Sequence, residues 1–223
     1  MRYMLCFFPL VGVVIGALQL GWVKLAAMLE ITPALFGAVA VLIPIIISGG
    51  IHMDGWIDTV DALSSRADTQ KKRKILKDPH VGAFGVLGCA LYLLLQWGLF
   101  QELYIRNPEM LLFVCAGYVL SRSSSALSII SWKPAEETGL VGMFYESAAK
   151  IPVGLVGLLA VFATAYFFPL PFMMIVYAVY VALHEWMCRR QFGGNNGDLA
   201  GFLLQNVELL CLVFAVINGI VAR

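Results

Sequence analysis

Hydrophobic positions follow one another in long runs along this chain, and polar positions gather in the short segments between the runs. An apolar run of about 20 residues is long enough to cross the hydrocarbon core of a membrane as an α-helix. Seven runs come near that length: residues 4–23, 34–49, 83–104, 110–131, 151–168, 170–187 and 199–221. The pattern predicts an all-α polytopic membrane protein, a bundle of about seven transmembrane helices in which residues 1–223 form a single integral membrane domain.

The composition agrees with a membrane protein. Apolar residues make up 61% of the chain and charged residues 13%, whereas an average soluble domain has about 25% charged residues. This balance excludes a soluble globular domain, and the biases typical of disordered, collagen-like or disulfide-rich chains are absent. The five cysteines lie in or beside apolar runs without a C-x-x-C pair, which predicts small buried hydrophobes. A signal peptide is an alternative interpretation of the first run, but no clear small-x-small cleavage site follows it.

The distribution of charge predicts the orientation of the bundle. The net charge is only +1, so no global field attracts nucleic acid and no nucleic-acid partner is expected. If segment 50–82 is cytoplasmic, alternation of the spans places most Lys and Arg residues inside, in agreement with the positive-inside rule. The inside set is Arg2, Arg66, Lys71, Lys72, Arg73, Lys74, Lys77, Lys133, Lys150, Arg189 and Arg190. The outside set is Lys24, Arg106 and Arg223.

Segment 50–82 concentrates the acidic groups of the chain. It contains five of the six aspartates: Asp54, Asp58, Asp61, Asp68 and Asp78. The stretch GGIHMDGWIDTVDAL at 49–63 spaces the first three at i, i+4 and i+7, which places them on one face of a helix. Carboxylates in this arrangement repel one another unless a cation lies among them, and hard oxygen ligands suit Mg²⁺ or Mn²⁺ acting with substrate phosphates. We therefore expect 50–82 to be a cytoplasmic, Asp-rich catalytic loop.

A solvated acidic helix face is the alternative for these aspartates. Three features favour a functional site instead. Nearby glycines allow close approach of backbone or ligand, His52 adds a titratable group, and the flanking residues Trp56 and Ile57 are apolar.

The stretch KDPHVGAFG at 77–85 adds a further carboxylate, Asp78, beside Lys77. Asp78 is either a metal ligand or part of a simple helix end, because Pro79 disrupts a continuing helix. The basic run before this stretch, residues 71–74, is predicted to contact lipid headgroups or solvent.

Arg122 lies deep in the fourth run, where a cation costs about 2.5–3.5 kcal/mol on insertion scales and usually has a partner. A phosphate is one candidate partner, because guanidinium matches phosphate oxygens bidentately. An ion pair with an intramembrane acid, such as Glu208 or Glu185, is the alternative. His184 and Glu185 lie near the inner end of their run, and interfacial snorkelling explains both.

The stretch RRQFGGNNGDLAGFLLQNVELL at 189–210 leads into the last apolar run. Its glycines and asparagines leave backbone N–H groups that could hold an anion at the start of the helix. Asp198, Gly201, Gln205 and Glu208 recur at steps of three and four, so they share one helical face and indicate a polar-lined cavity. Asp198 fits a helix N-cap equally well.

Four motifs, in this order, resemble those of the adenosylcobinamide-GDP ribazoletransferase family, also called cobalamin synthases. They are G-G-x-H-x-D-G-x-x-D-T-x-D-A at 49–62, K-D-x-x-x-G-x-F-G at 77–85, S-R at 121–122 and G-G-x-x-G-D-x-x-G at 193–201. The resemblance implies transfer of the cobinamide-phosphate moiety of adenosylcobinamide-GDP to α-ribazole or its 5′-phosphate, with release of GMP and with Mg²⁺ as cofactor. It also implies a multi-pass enzyme of the prokaryotic inner membrane, with cytoplasmic active-site loops and small-molecule substrates. Membrane lipids are expected to surround it, and a homo-oligomer is compatible with it.

Carried onto this sequence, the resemblance implies three sets of site residues. The metal ligands are Asp54, Asp58, Asp61 and Asp78, and the catalytic carboxylates are Asp58 and Asp61. The substrate-binding residues are His52, Lys77, Arg122 and Asp198. The chain departs from the family at Pro79 and His80, where Ser and Arg are usual, and at Gln205, where a glutamate is frequent.

Two other classes of protein compete with this interpretation. Other Mg-dependent membrane phosphotransferases or prenyltransferases, such as the CDP-alcohol phosphotransferases, also carry aspartates on helices. Their D-x-x-D-G-x-x-A-R motif does not fit, because no acid lies three residues before Asp54 and Asp58 stands where the motif has Ala. An ion-coupled transporter usually places its acids within the spans, whereas most aspartates here lie between them.

Overall fold

The computed structural model describes residues 2–168 and 170–221, so Arg223 of the predicted outside set lies outside the described residues. In this part of the chain there are ten α-helices and no β-strand. The helices are α1 (Phe8–Met28), α2 (Pro33–Ser48), α3 (Ile51–Ser64), α4 (Thr69–Ile75), α5 (Ala83–Arg106), α6 (Leu111–Ser131), α7 (Leu140–Ser147), α8 (Lys150–Phe167), α9 (Pro171–Met187) and α10 (Gly197–Val221). A π-helical turn, Cys188–Phe192, follows α9.

Six of the described helical segments are long and apolar enough to cross a membrane, and they contain α1, α5, α6, α8, α9 and α10. Helices α2 and α3 meet the same criterion only together, and they are bent by 97° at the break between them. The number of spans rises to seven if this bent pair counts as one. The predicted all-α bundle of about seven transmembrane helices is therefore confirmed.

The chain turns sharply between α2 and α3 because two consecutive glycines adopt left-handed backbone conformations. Gly49 has φ 62° and Gly50 has φ 76°, values that favour glycine over any residue with a Cβ atom. Their N–H groups donate to the carbonyl oxygens of Ile46 and Ile45, at 3.1 and 2.9 Å, which satisfies the end of α2. The corner separates the apolar α2 from α3, which carries the acidic motif.

The predicted loop 50–82 is mostly helical, because it contains both α3 and α4. The two helices are separated near Arg66, which has a positive φ of 52°. Asp68 then caps α4, since its Oδ1 atom accepts a hydrogen bond from the Lys71 N–H at 2.8 Å. Asp68 is thus explained as a structural cap.

Helices α6 and α10 form the centre of the bundle and are the most buried of the candidate spans. Helix α10 packs against α3, α5 and α6, and α6 packs against α1 and α8. Large apolar side chains of the peripheral helices point outward, as do Leu91 on α5, Leu159 on α8 and Ile175 on α9. Such an outer surface suits hydrocarbon rather than water.

The basic segments that were assigned to one side of the membrane lie together at one end of the bundle. The Ala149 N–H donates to the Arg2 carbonyl oxygen at 2.8 Å, which joins the N-terminus to the start of α8. The Ala135 N–H donates to the Asn195 carbonyl oxygen at 2.8 Å, which joins the segment after α6 to the segment before α10. The charge distribution predicts that these segments lie on the same side of the membrane, and the two contacts agree with that prediction.

A glycine allows α1 and α6 to pack in close contact, and this contact is open to test. A Cβ atom at Gly12 would lie 2.8 Å from Val119 Cα and would also overlap the Tyr118 carbonyl. We expect Gly12→Ala to lower the free energy of unfolding by about 1–3 kcal/mol, because the two helices must separate. Thermal unfolding of the detergent-solubilised protein measures the loss.

Gly21→Ala is the matched control for this prediction, because Gly21 lies on the same helix and no atom comes within 4 Å of its Cβ position. This change is expected to leave the protein as stable as before, or more stable by up to about 1 kcal/mol, since Ala favours helix. Equal unfolding temperatures for the two variants would contradict the proposed tight packing.

Candidate active site

Helix α3 is amphipathic, with an acidic face and a packed face. Its buried residues, among them Met53, Trp56 and Thr59, form the packed face. Trp56 contacts the ring of Tyr92 on α5, with centroids 4.7 Å apart, and the ring of Phe202 on α10, with centroids 5.8 Å apart. These contacts fix the rotation of α3 and so determine where its aspartates point.

Two glycines bring α3 and the first turns of α10 almost backbone to backbone. A Cβ atom at Gly55 would lie 2.7 Å from the Asp198 Cα atom. A Cβ atom at Gly201 would lie 3.3 Å from the His52 Cα atom. The glycines of the first and last motifs therefore serve the same crossing, which places Asp198 beside the acidic face of α3.

The Asp58 carboxylate lies among other carboxylates. Burial raises the pKa of Asp58 to about 6, and the negative charges of Asp54, Asp198 and Asp61 raise it further in the same direction. Asp58 lies on α3, which is too short and too polar to be a span by itself. A proton or a bound cation would relieve this repulsion, and hard carboxylate oxygens are the ligands that Mg²⁺ prefers.

Asp61 has a role that the sequence analysis missed. Its Oδ2 atom accepts from the Gly82 N–H at 2.6 Å and its Oδ1 atom accepts from the Gly85 N–H at 2.8 Å. These amides belong to the start of α5, so Asp61 caps that helix from a neighbouring helix. The glycine pair in the motif at 77–85 was the available signal, because a Cβ atom at either position would overlap the Asp61 carboxylate.

Asp78 and Lys77 lie in the turn between α4 and α5 and are exposed. The Asp78 carboxylate accepts from the His80 N–H at 3.0 Å and contacts His80 Nδ1 at 2.8 Å, and these hydrogen bonds lower the pKa of Asp78. The Lys77 ammonium pairs with Glu136 at 2.7 Å. The metal role of Asp78 and the substrate role of Lys77 stay predictions.

A cleft of about 150 Å³, lined by both apolar and charged residues, opens beside the acidic face. It lies between the end of α4, the segment around α7 and the start of α10, and its lining includes Arg73, Lys77, Glu136, Asn195 and Asp198. Asp198 therefore borders both the cleft and the acidic group of α3. The motifs at 49–62, 77–85 and 193–201 thus meet at one end of the bundle.

Helix α4 docks onto the π-helical turn instead of facing the membrane. The Arg73 Nε atom donates to the Phe192 carbonyl oxygen at 2.6 Å, and Lys72 is buried and donates to the Gln191 side chain. The predicted contact with lipid headgroups or solvent is therefore wrong for Lys72, whereas Arg73 is only half-buried and also lines the cleft. The guanidinium also occupies the space where a Cβ atom at Gly193 would lie, which explains that glycine.

The start of α10 is capped by Asn196, because its Oδ1 atom accepts from the Leu199 N–H at 2.8 Å. The N-cap alternative for Asp198 is therefore wrong, and Asp198 instead accepts from the Asn196 Nδ2 group at 3.1 Å. Farther along the helix, Gln205 accepts a hydrogen bond from the buried Tyr92 hydroxyl at 2.9 Å. The polar stripe of α10 is thus engaged by neighbouring side chains.

Arg122 is almost completely buried and forms an ion pair with Glu208 on α10. Its Nη1 group also donates to the Tyr118 carbonyl oxygen at 3.2 Å and to the Ser121 hydroxyl at 3.0 Å. Of the two partners left open by the sequence, the intramembrane acid is the one that the structure contains. A phosphate contact of Arg122 stays a prediction.

His52 lies in the first turn of α3 and is half-buried. Its ring contacts the Phe8 ring, with centroids 5.6 Å apart. Burial, and next the positive charge of Arg122, lower the pKa of His52 to about 4, so the imidazole is neutral at cellular pH. His52 can therefore act as a neutral hydrogen-bonding group.

His184 and Glu185, which are neighbours near the end of α9, have different environments. His184 is buried, with its ring stacked on Phe202 at a centroid distance of 5.8 Å, so interfacial snorkelling is wrong for this residue. Glu185 is more exposed and pairs with Arg189 one turn later. This pairing leaves Glu208 as the intramembrane acid available to Arg122.

The Arg122–Glu208 pair predicts a strong coupling between the two positions. Arg122→Met or Glu208→Leu alone leaves one buried charge without a partner, so each is expected to lower the free energy of unfolding by about 3–5 kcal/mol. The double variant removes both charges and is expected to recover most of that loss. Denaturant unfolding of the four proteins in detergent measures the coupling, and strictly additive losses would contradict it.

Comparisons with known proteins agree with the four motifs. A family model described as cobalamin-5-phosphate synthase matches residues 1–216. A Lachnoclostridium phytofermentans protein named adenosylcobinamide-GDP ribazoletransferase is 34% identical, over 99% of this chain and 86% of its own. Proteins of that name from Clostridium botulinum and Clostridium perfringens are 31% and 30% identical, over 96% and 93% of this chain and 86% and 84% of theirs. No solved structure gives a significant match. The chain belongs to the cobalamin-5-phosphate synthase family.

Proposed function

We propose that this protein is an adenosylcobinamide-GDP ribazoletransferase. It transfers the cobinamide-phosphate moiety of adenosylcobinamide-GDP to α-ribazole or α-ribazole 5′-phosphate, and it releases GMP. The family and the printed names of the relatives support this activity. The observation that carries the proposal is the position of Asp198, which joins an acidic helix face to a cleft that contains Arg73 and Lys77. A diphosphate with its metal ion needs both kinds of surface.

Mg²⁺ fits the donor set, although no preformed cage is present. Among the described residues, no three His, Cys, Asp or Glu side chains stand close enough together to hold a metal ion. Mg²⁺ usually needs only one or two protein carboxylates, because waters and substrate phosphates complete its octahedron. We propose that Asp58, with Asp54 or Asp198 beside it, would hold the ion, since the charges of both neighbours act on the Asp58 carboxylate. Bound there, Mg²⁺ would neutralise charge that develops on the diphosphate and on the leaving GMP.

The protein residues then have distinct tasks. The attacking ribose hydroxyl forms a new O–P bond at the phosphate attached to cobinamide, and the P–O bond to GMP breaks. We assign the acceptance of the hydroxyl proton to Asp58 rather than Asp61, because both oxygens of Asp61 already accept backbone N–H groups. Arg73 and Lys77 line the cleft next to Asp198, where they would lie beside the bound nucleotide.

The orientation in the membrane is also part of the proposal. Lys72, Arg73 and Lys77 lie at the same end of the bundle as the acidic face. Because positively charged segments favour the cytoplasmic side, this end would face the cytoplasm of a prokaryotic cell. The reacting groups of the two substrates, a diphosphate and a ribose hydroxyl, are polar, so both substrates could reach this end of the bundle from the cytoplasm.

Release of GMP by the purified protein tests the proposed activity. Detergent-solubilised protein is supplied with adenosylcobinamide-GDP, α-ribazole 5′-phosphate and Mg²⁺, and GMP formation is followed by chromatography. We expect GMP and adenosylcobalamin 5′-phosphate in equal amounts, loss of both with EDTA, and recovery when Mg²⁺ is restored. A folded protein that releases no GMP would overturn the proposal. Turnover that continues in EDTA would contradict only the role of the metal.

Asp58→Asn tests the assignment of the acidic face. We expect normal membrane insertion and a fall in turnover of about 10²–10⁴-fold, the usual contribution of a positioned acid or base. Because the change removes repulsion among carboxylates, the unfolding temperature in EDTA should not decrease.

Asp68→Asn is the matched control for Asp58→Asn. Asp68 only caps α4, and Asn is an equally good N-cap, so turnover is expected to stay close to that of the unchanged protein. If Asp58→Asn and Asp68→Asn were equally active, Asp58 would merely face solvent.

A further inference from the structure

The cleft beside Asp198 has the size of a small part of the substrate. Its volume is about 150 Å³, whereas sites for drug-sized ligands measure roughly 300–1,000 Å³. The cleft therefore has room for one heterocyclic base or one phosphate, and it cannot admit a corrin ring.

The charges that line the cleft balance one another. Arg73 and Lys77 are positive, and Glu136 and Asp198 are negative. Buried apolar side chains, including Phe192, complete the lining. A cleft of zero net charge with apolar walls favours a neutral, flat, hydrogen-bonding group over an anion.

Asn195 lines this cleft and carries a buried polar atom without a hydrogen-bond partner among the described residues. It is 1% exposed, and its backbone is held on both sides, because its N–H donates to the Lys133 carbonyl oxygen and its own carbonyl accepts from the Ala135 N–H, each at 2.8 Å. Its Nδ2 group donates to the Ser128 hydroxyl oxygen at 3.2 Å. Its Oδ1 atom has no hydrogen-bond partner among the described residues.

The neighbouring serine determines which end of the Asn195 amide is unsatisfied. The Ser128 hydroxyl donates its proton to the Ser125 carbonyl oxygen at 2.7 Å, so it presents a lone pair to Asn195. The amide nitrogen must therefore face Ser128, and the free atom is the acceptor Oδ1. A buried acceptor without a donor is costly, which points to a ligand that donates hydrogen bonds.

We propose that this cleft is the subsite for the guanine base of the GDP moiety, with Asn195 as a specificity-determining residue. Guanine presents a ring N–H and an amino group on one edge. Asn195 Oδ1 is an acceptor without a donor, and the Glu136 carboxylate, which lines the cleft and pairs with Lys77, has further lone pairs that can accept a second hydrogen bond. Asp198 borders the cleft and the acidic face, so a base in the cleft leaves its diphosphate beside the proposed metal ligands. This inference rests on the proposed function, because it concerns the nucleotide of that substrate.

Equilibrium binding of GMP, IMP and AMP to the purified protein in Mg²⁺ tests the inference. IMP lacks the amino group of guanine, so we expect it to bind about tenfold more weakly than GMP, and AMP to bind more weakly still, since each lost hydrogen bond leaves a buried acceptor unpaired. Asn195→Ala is expected to weaken GMP binding about tenfold and to bring the GMP and IMP affinities close together.

Glu136→Gln provides a second variant in case Asn195→Ala does not fold, and it should also reduce the preference for GMP. Glu137→Gln is the matched control, because Glu137 is exposed and is not part of the cleft lining. It should keep the preference of the unchanged protein. Equal binding of GMP and IMP by the unchanged protein, no binding of GMP, or an unaltered preference in the folded Asn195 and Glu136 variants would overturn the inference. GMP release from adenosylcobinamide-GDP, measured separately, would still support the proposed function in that case.

Discussion

Helices α3 and α10 cross almost backbone to backbone, and the candidate active site depends on this crossing. Gly55 faces Asp198 and Gly201 faces His52. Each helix therefore has a glycine, which carries no side chain, at the point where the other helix approaches. A larger residue at either position would separate the helices by the width of a side chain. Asp198 would then leave the acidic face of α3, and the cleft beside it would lose its connection to the proposed metal ligands.

The polar groups beneath this crossing are arranged so that few charges remain unpaired. Arg122 and Glu208 form a buried pair, and the Ser121 hydroxyl adds a hydrogen bond to the Glu208 carboxylate at 3.3 Å. Removing two charges from water is expensive, so such a pair specifies the packing of α6 against α10 more than it stabilises the fold. The acidic face differs, since the charges that act on Asp58 are those of other carboxylates, Asp54, Asp198 and Asp61. That contrast distinguishes a structural charge pair from a site prepared for a ligand.

Hydrophobic runs predicted the bundle because a membrane span depends mainly on local composition, and the i, i+4, i+7 spacing predicted the acidic face of α3 for a similar reason. Contacts between residues far apart in the sequence could not be predicted from local patterns. The spacing of Asp61 matched that of Asp54 and Asp58, yet its carboxylate caps α5. Arg122 had two plausible acidic partners, and only the pairing of Glu185 with Arg189 and the packing of α10 against α6 select Glu208.

The scarcity of charge makes these tertiary roles informative. Only 13% of the residues are charged. Each charge inside the fold needs a partner or a ligand, because the hydrocarbon around the bundle cannot solvate a charge. Lys72 and Arg73 are used to attach α4 to the turn before α10, which holds the cleft against the acidic face. These two cations thus hold the candidate active site together by their positions in the fold. Asn195 Oδ1 has no hydrogen-bond partner among the described residues, and the Asp58 carboxylate has like charges around it, so both are groups that the proposed nucleotide diphosphate and its metal ion would satisfy.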